Sequence, residues 1–266
     1  ALKPLFAEFG AELYAGISYR HAAVIRGTGN TGTTFTPPHD ITNRPINGKL
    51  PNGRFGQKFT DLIRRSIDVL KDLPVNVARR AAGKNTADAV WFWGEGTKPA
   101  LEKFSVAFGK TAAVVSAVDL VKGIGVAGGM TVINVPTATG TVDTDYAAKT
   151  AAALDALRTH DFCFVHLEGP DECGHQGDRR GKIISIERID AQILKPIVAA
   201  LEKSGAPFAV CVMPDHATPL SVRTHTSEPV PFMIYDNERH SESGVAFSEK
   251  LAATTGLTLE HGYYVI

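Results

Sequence analysis

From Gly53 to the C-terminus, apolar runs of strand length alternate with stretches of helical spacing, and no other feature of the sequence narrows the fold as much. Phe59, Leu62, Ile63, Ile67 and Leu70 recur at helical intervals. Ala87–Trp93 reads as a buried strand, Pro99–Phe108 as a helix, Ala112–Ala117 as a strand, Leu120–Val126 as a helix and Met130–Val135 as a strand. A helix over Tyr146–Thr159 carries Ala148, Ala152, Leu154 and Leu157, and a strand begins at Phe162. Lys182–Lys203 places Ile186, Ile189, Ile193, Ile197 and Leu201 on one face, with Pro196 expected to kink it or displace its first turn. Strands at Phe208–Met213 and Val230–Tyr235, a helix at Phe247–Thr254 and a strand at Tyr263–Ile266 complete the series. Strands that are apolar throughout and alternate with helices imply a three-layer α/β fold, a mostly parallel sheet with helices on both faces.

The N-terminal fifth does not follow this rhythm. Leu2–Tyr14 reads as an amphipathic helix and Ser18–Arg26 as a short strand. Gly27–Gly53 is a loop rich in glycine and proline, too long for a routine connection. Arg20 and His21 precede it and Pro37-Pro38-His39-Asp40 lies within it.

In parallel sheets ligands bind beyond the carboxyl ends of the strands. Two strand ends here carry acid and imidazole groups. The first is Phe162–Asp178, FCFVHLEGPDECGHQGD, in which an apolar run breaks at Gly169-Pro170 and presents Asp171 and His175 in a glycine-punctuated turn. The second is Pro214-Asp215-His216, followed nine residues later by His225. Carboxylates mixed with imidazoles suit a transition-type divalent ion better than calcium, which takes oxygen alone. Five such groups exceed what one tetrahedral ion takes and are about right for two ions, an arrangement suited to phosphoryl chemistry. Ser116 and His166, each in an apolar run, read as core residues. Asp145 reads as a helix cap.

Lys+Arg and Asp+Glu are both 28, so no net field favours nucleic acid or an anionic membrane. No apolar run reaches the roughly 20 residues that span a bilayer. The three cysteines are an odd number, two of them in apolar runs, and a reducing cytoplasm is the simplest compartment.

PDECGHQGD, MPDHATP, His225 ahead of Pro229-Val230-Pro231, WFWGEG, SAVDLVKGIG and TGTVDTDYAAK together resemble the archaeal-type cofactor-independent phosphoglycerate mutases, a branch of the alkaline phosphatase superfamily. The resemblance covers nearly the whole chain. It implies an alkaline phosphatase-like core over residues 46–266, with residues 1–45 as the closing part of a small inserted substrate-gripping domain. It implies two divalent ions, Mn, Zn or Mg, one held by Asp171, His175 and His225 and the other by Asp215 and His216. Arg20, His21, His39 and Asp40 become candidates for contact with a small phosphorylated substrate, 3-phosphoglycerate interconverted with 2-phosphoglycerate through a phosphoserine. The family's first strand, with its Asp-Gly ligand, and the serine nucleophile have no match before Arg20. The sequence is therefore expected to be a C-terminal portion of a longer protein, with little activity alone. A proposed homoserine kinase branch, phosphatase relatives and a noncatalytic metal-binding fragment are the alternatives.

Overall fold

The structure, a computed structural model, describes residues 1–266 except 17–18, 30–31, 42–43, 240–243 and 266, and the side chains of His39 and Asp40. Contacts divide the chain into two units, Ala1–Ala100 and Leu101–Ile266. In the first, α1 (Lys3–Glu8) leads into β1 (Ala11–Tyr14), which pairs antiparallel with β2 (Ala22–Ile25). The sequence reads as one helix across Leu2–Tyr14. The chain instead turns after Phe9, and cross-strand pairing, reinforced by Glu12 against Arg26 at 2.6 Å, takes up the second half. A short antiparallel pair, β3 (Thr33–Thr34) with β4 (Asn52–Gly53), precedes α2 (Gly56–Leu70) and α3 (Pro74–Ala81). Leu5, Phe6, Ala11 and Leu62 form this unit's buried core, with Val90 and Phe92 packed against it.

Ala87–Trp93 is extended but joins no sheet among the described residues. Side chains take the bonds a ladder would have used. Ser66 Oγ accepts from the Val90 amide at 2.9 Å, and the Asn76 amide group bonds both N–H and C=O of Ala87, at 3.0 and 2.8 Å. Backbone polar groups must be satisfied, but the partner need not be a strand.

The second unit begins with α4 (Phe104–Phe108), half the length expected, and β5 (Ala112–Val115), which is buried throughout. Burial follows from position: β5 is the middle of a parallel sheet ordered β6–β5–β7, with β6 at Thr131–Ile133 and β7 at Phe162–Val165. Neighbouring residues of a strand face opposite sides. Val114 meets α5 (Asp119–Ala127) at Gly125, while Val115 joins a core of Val135, Tyr146, Ala153, Ile193 and Ile197. Helices thus cover both faces of this sheet, as the alternation implies. Its buried helix stripe on α6 (Tyr146–Ala156) is Tyr146, Lys149, Thr150, Ala153 and Ala156. An alanine-rich helix has little polarity contrast to mark a face, so the stripe of Ala148, Ala152, Leu154 and Leu157 read from sequence is only partly buried.

Two further expectations change form. Residues 169–176 fold as a helix, α7 (Gly169–Gln176), where a turn is the sequence reading. Pro170 lies at the first helical positions, where no N–H is needed, and Asp171 and Glu172 face the positive end of the helix dipole. Gly177, at φ 70°, closes the helix in the left-handed conformation. The long helix expected at Lys182–Lys203 is α8 (Arg179–Ile189) and α9 (Lys195–Ser204) joined through a wide turn at Asp190–Leu194. Pro196 lacks the amide that would bond the Gln192 carbonyl, and Thr150 Oγ1 donates to that carbonyl at 2.6 Å instead.

β8 (Ala209–Val212) and β9 (Met233–Asp236) pair antiparallel with each other. The described strands of this unit are therefore parallel in one sheet and antiparallel in this ribbon. A helix, α10 (Glu249–Ala252), follows, and the expected last strand is a 3₁₀ turn at Gly262–Tyr264. No described helix is long and apolar enough to cross a membrane.

Candidate metal centre

Four-residue spacing on a helix places two side chains on one face, so α7 directs Asp171 and His175 together: His175 Nε2 is 3.3 Å from Asp171 Oδ2. The third member comes from the loop after β8. An isolated antiparallel bridge joins Ala217 to Thr226 and closes residues 218–225 into a loop, which returns His225 to the site. Its Nε2 lies 3.1 Å from His175 Nε2 and 3.4 Å from Asp171 Oδ1. Donors about 2.0–2.2 Å from one tetrahedral ion are separated by roughly 3.3–3.6 Å. The contact between the two imidazoles is close to that value, and the carboxylate meets each ring through a different oxygen, Oδ2 toward His175 and Oδ1 toward His225.

The protons agree with the distances. A carbonyl can only accept, so the contact of 3.0 Å between His175 Nδ1 and the Arg223 carbonyl puts a proton on Nδ1, and in the neutral ring this leaves Nε2 bare. A bare Nε2 facing another ring nitrogen at 3.1 Å requires a proton on His225 or a cation between them. Arg223 is the one described residue other than glycine with positive φ, at 56°. That backbone aims its carbonyl at His175, while its guanidinium lies over Gly177, where a Cβ would come within 2.7 Å of Nε. Asp171, His175 and His225 are the group among the described residues with donor atoms all within 4.8 Å of one another.

Asp215 and His216 form a separate pair beside this triangle. His216 Nε2 is 3.4 Å from Asp215 Oδ2, and the His216 and His225 rings lie with centroids 3.7 Å apart, tilted by 33°. All five residues named from the sequence are thus neighbours, as three donors and two.

Beside the centre lies a network built on His166 and Ser116, which the sequence reads as core residues. His166, at the end of β7, contacts Ser116 Oγ through Nδ1 at 3.2 Å and Glu168 through Nε2 at 3.4 Å, and burial pushes its pKa down. The Ser116 hydroxyl also accepts from Val118 N–H, which fits a core role. Lys149, 1% exposed, donates to the His166 carbonyl at 3.1 Å, and burial pushes its pKa down to about 8 against the upward pull of Glu168. The consequence for stability has a definite sign. Between about pH 8 and 10.5 the unfolded lysine holds a proton that the folded one has lost, so stability gains as pH rises through that window, by an amount on the order of 3 kcal/mol. Urea midpoints of the wild type and Lys149→Met at pH 7.5, 9 and 10 should show the gain in the wild type relative to the variant; a constant difference would count against it.

Arg20 and His21 lie in the first unit on the connection between β1 and β2, exposed, with the Arg20 guanidinium over Tyr19 and His21 Nδ1 accepting from Gly16 N–H. Pro38–Ile41 is a 3₁₀ turn, and the side chains of His39 and Asp40 lie outside the described residues.

A family model described as the metalloenzyme superfamily matches residues 18–261. The chain belongs to that superfamily. Membership implies divalent metal ions, and the triangle above supplies donors that fit one. Curated relatives within reach include the 2,3-bisphosphoglycerate-independent phosphoglycerate mutase of Methanosarcina barkeri, 45% identical over 97% of this chain and 66% of that protein. A probable enzyme of the same name from Geobacter sulfurreducens is 44% identical over 95% of this chain and 63% of its own length. The chain therefore spans about two thirds of the length of these relatives. Among solved structures, a Pyrococcus horikoshii protein superposes with TM-score 0.64 at 31% identity, covering 75% of this chain and 52% of that one. The cofactor-independent phosphoglycerate mutase of Thermoplasma acidophilum superposes with TM-score 0.52 at 20% identity over 93% of this chain and 61% of that one, a likeness of fold.

Proposed function

We propose that this metalloenzyme chain carries the metal-holding part of a cofactor-independent phosphoglycerate mutase, interconverting 3-phosphoglycerate and 2-phosphoglycerate. The observation that carries the reading is the cluster of Asp171, His175 and His225, whose donor atoms all lie within 4.8 Å of one another, in a chain 45% identical to an enzyme of that name. Asp171, His175 and His225 are assigned one ion and Asp215 with His216 a second, each Mn, Zn or Mg. Such ions neutralise phosphoryl charge and lower the pKa of an attacking alcohol. The residues' own part is to hold bare nitrogens and carboxylate oxygens at fixed separation: Arg223 orients His175, and the Ala217–Thr226 bridge places His225. The phosphoserine step is assigned to a serine other than Ser116, whose hydroxyl is buried between Val118 and His166. Substrate contact by Arg20, His21, His39 and Asp40 and the division of the chain at residues 45 and 46 belong to the same proposal and rest on sequence resemblance, and a cytoplasmic location belongs to it on the cysteine usage.

The test is conversion of 3-phosphoglycerate by the whole protein, followed through enolase as a rise in absorbance. Turnover should require an added divalent ion, Mn²⁺, Zn²⁺ or Mg²⁺, and stop with a chelator. A rate indifferent to the chelator would remove the metal from the mechanism, and no conversion with metal present would remove the mutase.

A further inference from the structure

The two sets of donors, three on one side and two on the other, are joined by a residue that is neither acid nor imidazole. Thr218, buried at 4% exposure, places Oγ1 2.5 Å from Asp171 Oδ1 and 3.2 Å from His216 Nδ1. A hydroxyl has one proton to give. An ionised carboxylate can only accept, so that proton goes to Asp171, and toward His216 the oxygen must accept. His216 is thereby held with its proton on Nδ1 and a bare Nε2, the atom 3.4 Å from Asp215 Oδ2. The same oxygen thus orients the Asp171 carboxylate and selects the His216 tautomer.

The rest of Thr218 is held as firmly. Its carbonyl accepts from Lys182 Nζ at 2.8 Å, and its carbonyl and methyl press on α7 at Gly174. We infer that Thr218 is a positioning residue that couples the two ligand sets, so that its hydroxyl sets the affinity of both for a divalent ion. This rests on the metal-site reading above and adds to it a link between the ions. Outer groups that orient metal ligands typically contribute 10–100-fold to metal affinity.

Two substitutions separate the hydroxyl from the methyl. Thr218→Val keeps the shape against Gly174 and loses the hydroxyl; Thr218→Ser does the reverse. Zn²⁺ binding by the chain, measured by calorimetry, should weaken 10–100-fold in Thr218→Val and stay within about threefold of wild type in Thr218→Ser. The visible spectrum of the Co²⁺-loaded chain should change in the valine variant only, since the spectrum follows ligand geometry. Circular dichroism establishes that both variants are folded. Valine binding like wild type, or equal losses in both variants, would place the effect in packing and overturn the inference. A wild-type chain that takes up no Zn²⁺ would instead overturn the metal-site reading, and the coupling with it.

Discussion

Asp171→Ala is expected to lower Zn²⁺ affinity by more than about 100-fold, beyond the range associated with loss of an outer partner, and to abolish metal-dependent turnover in the whole protein. Asp171 is the hub of the cluster. Its two oxygens reach His175 at 3.3 Å, His225 at 3.4 Å and Thr218 at 2.5 Å. Removing it leaves two imidazoles without their shared carboxylate and a buried threonine hydroxyl without its acceptor. The second loss costs about 1–3 kcal/mol, so the variant should fold with a lowered urea midpoint. Calorimetry with Zn²⁺ and a denaturation curve on the same preparation check both parts. Unchanged Zn²⁺ affinity would show that the triangle is only a pair of ion contacts.

The donors were legible in the sequence because they are chemically conspicuous: Asp171 and His175 follow β7, at the strand end where a parallel sheet places its ligands, whereas Asp215 and His216 follow β8 of the antiparallel ribbon, with His225 nine residues further on, so the parallel-sheet rule does not explain their place. The orienting groups were not legible. The acceptor for His175 is a backbone carbonyl, offered by Arg223 at φ 56°, and nothing in the identity of an arginine signals such a conformation. Thr218 and Lys149 lie inside the motifs MPDHATP and TGTVDTDYAAK, but a threonine and a lysine have many commoner uses. Only three-dimensional contact distinguishes a lysine that is 1% exposed beneath His166 from one in solvent.

The fold divides along the same line. Where burial is complete, as in Ala112–Val115, an unbroken apolar run marks the strand, and β5 lies where expected. Where partners are side chains, as for Ala87–Trp93 against Ser66 and Asn76, the same run forms no ladder. The expected turn at Asp171–His175 became helix α7 because Pro170 and the acidic first turn favour a start that the glycines obscure. That change strengthens the site, since helical spacing brings the two ligands to one face whereas a turn would leave their relation open.

Gly174→Ala tests how closely α7 must approach the Thr218 loop, and two opposing effects decide its sign. Alanine favours the helix by about 1 kcal/mol over glycine. Against that, a Cβ at residue 174 would stand 2.5 Å from the Thr218 carbonyl oxygen and 2.8 Å from its methyl carbon. The carbonyl is backbone and is tied to Lys182 Nζ at 2.8 Å, so relief requires moving the loop or breaking that bond. Overpacking of this kind costs about 1–3 kcal/mol, and the clash should win. The movement that relieves it carries Thr218 Oγ1 away from Asp171 and His216, so Zn²⁺ affinity should fall along with the urea midpoint. A variant that is more stable than wild type and binds Zn²⁺ equally well would mean that α7 and the loop accommodate a methyl group without disturbing the ligands, and that their close approach is not what orients the centre.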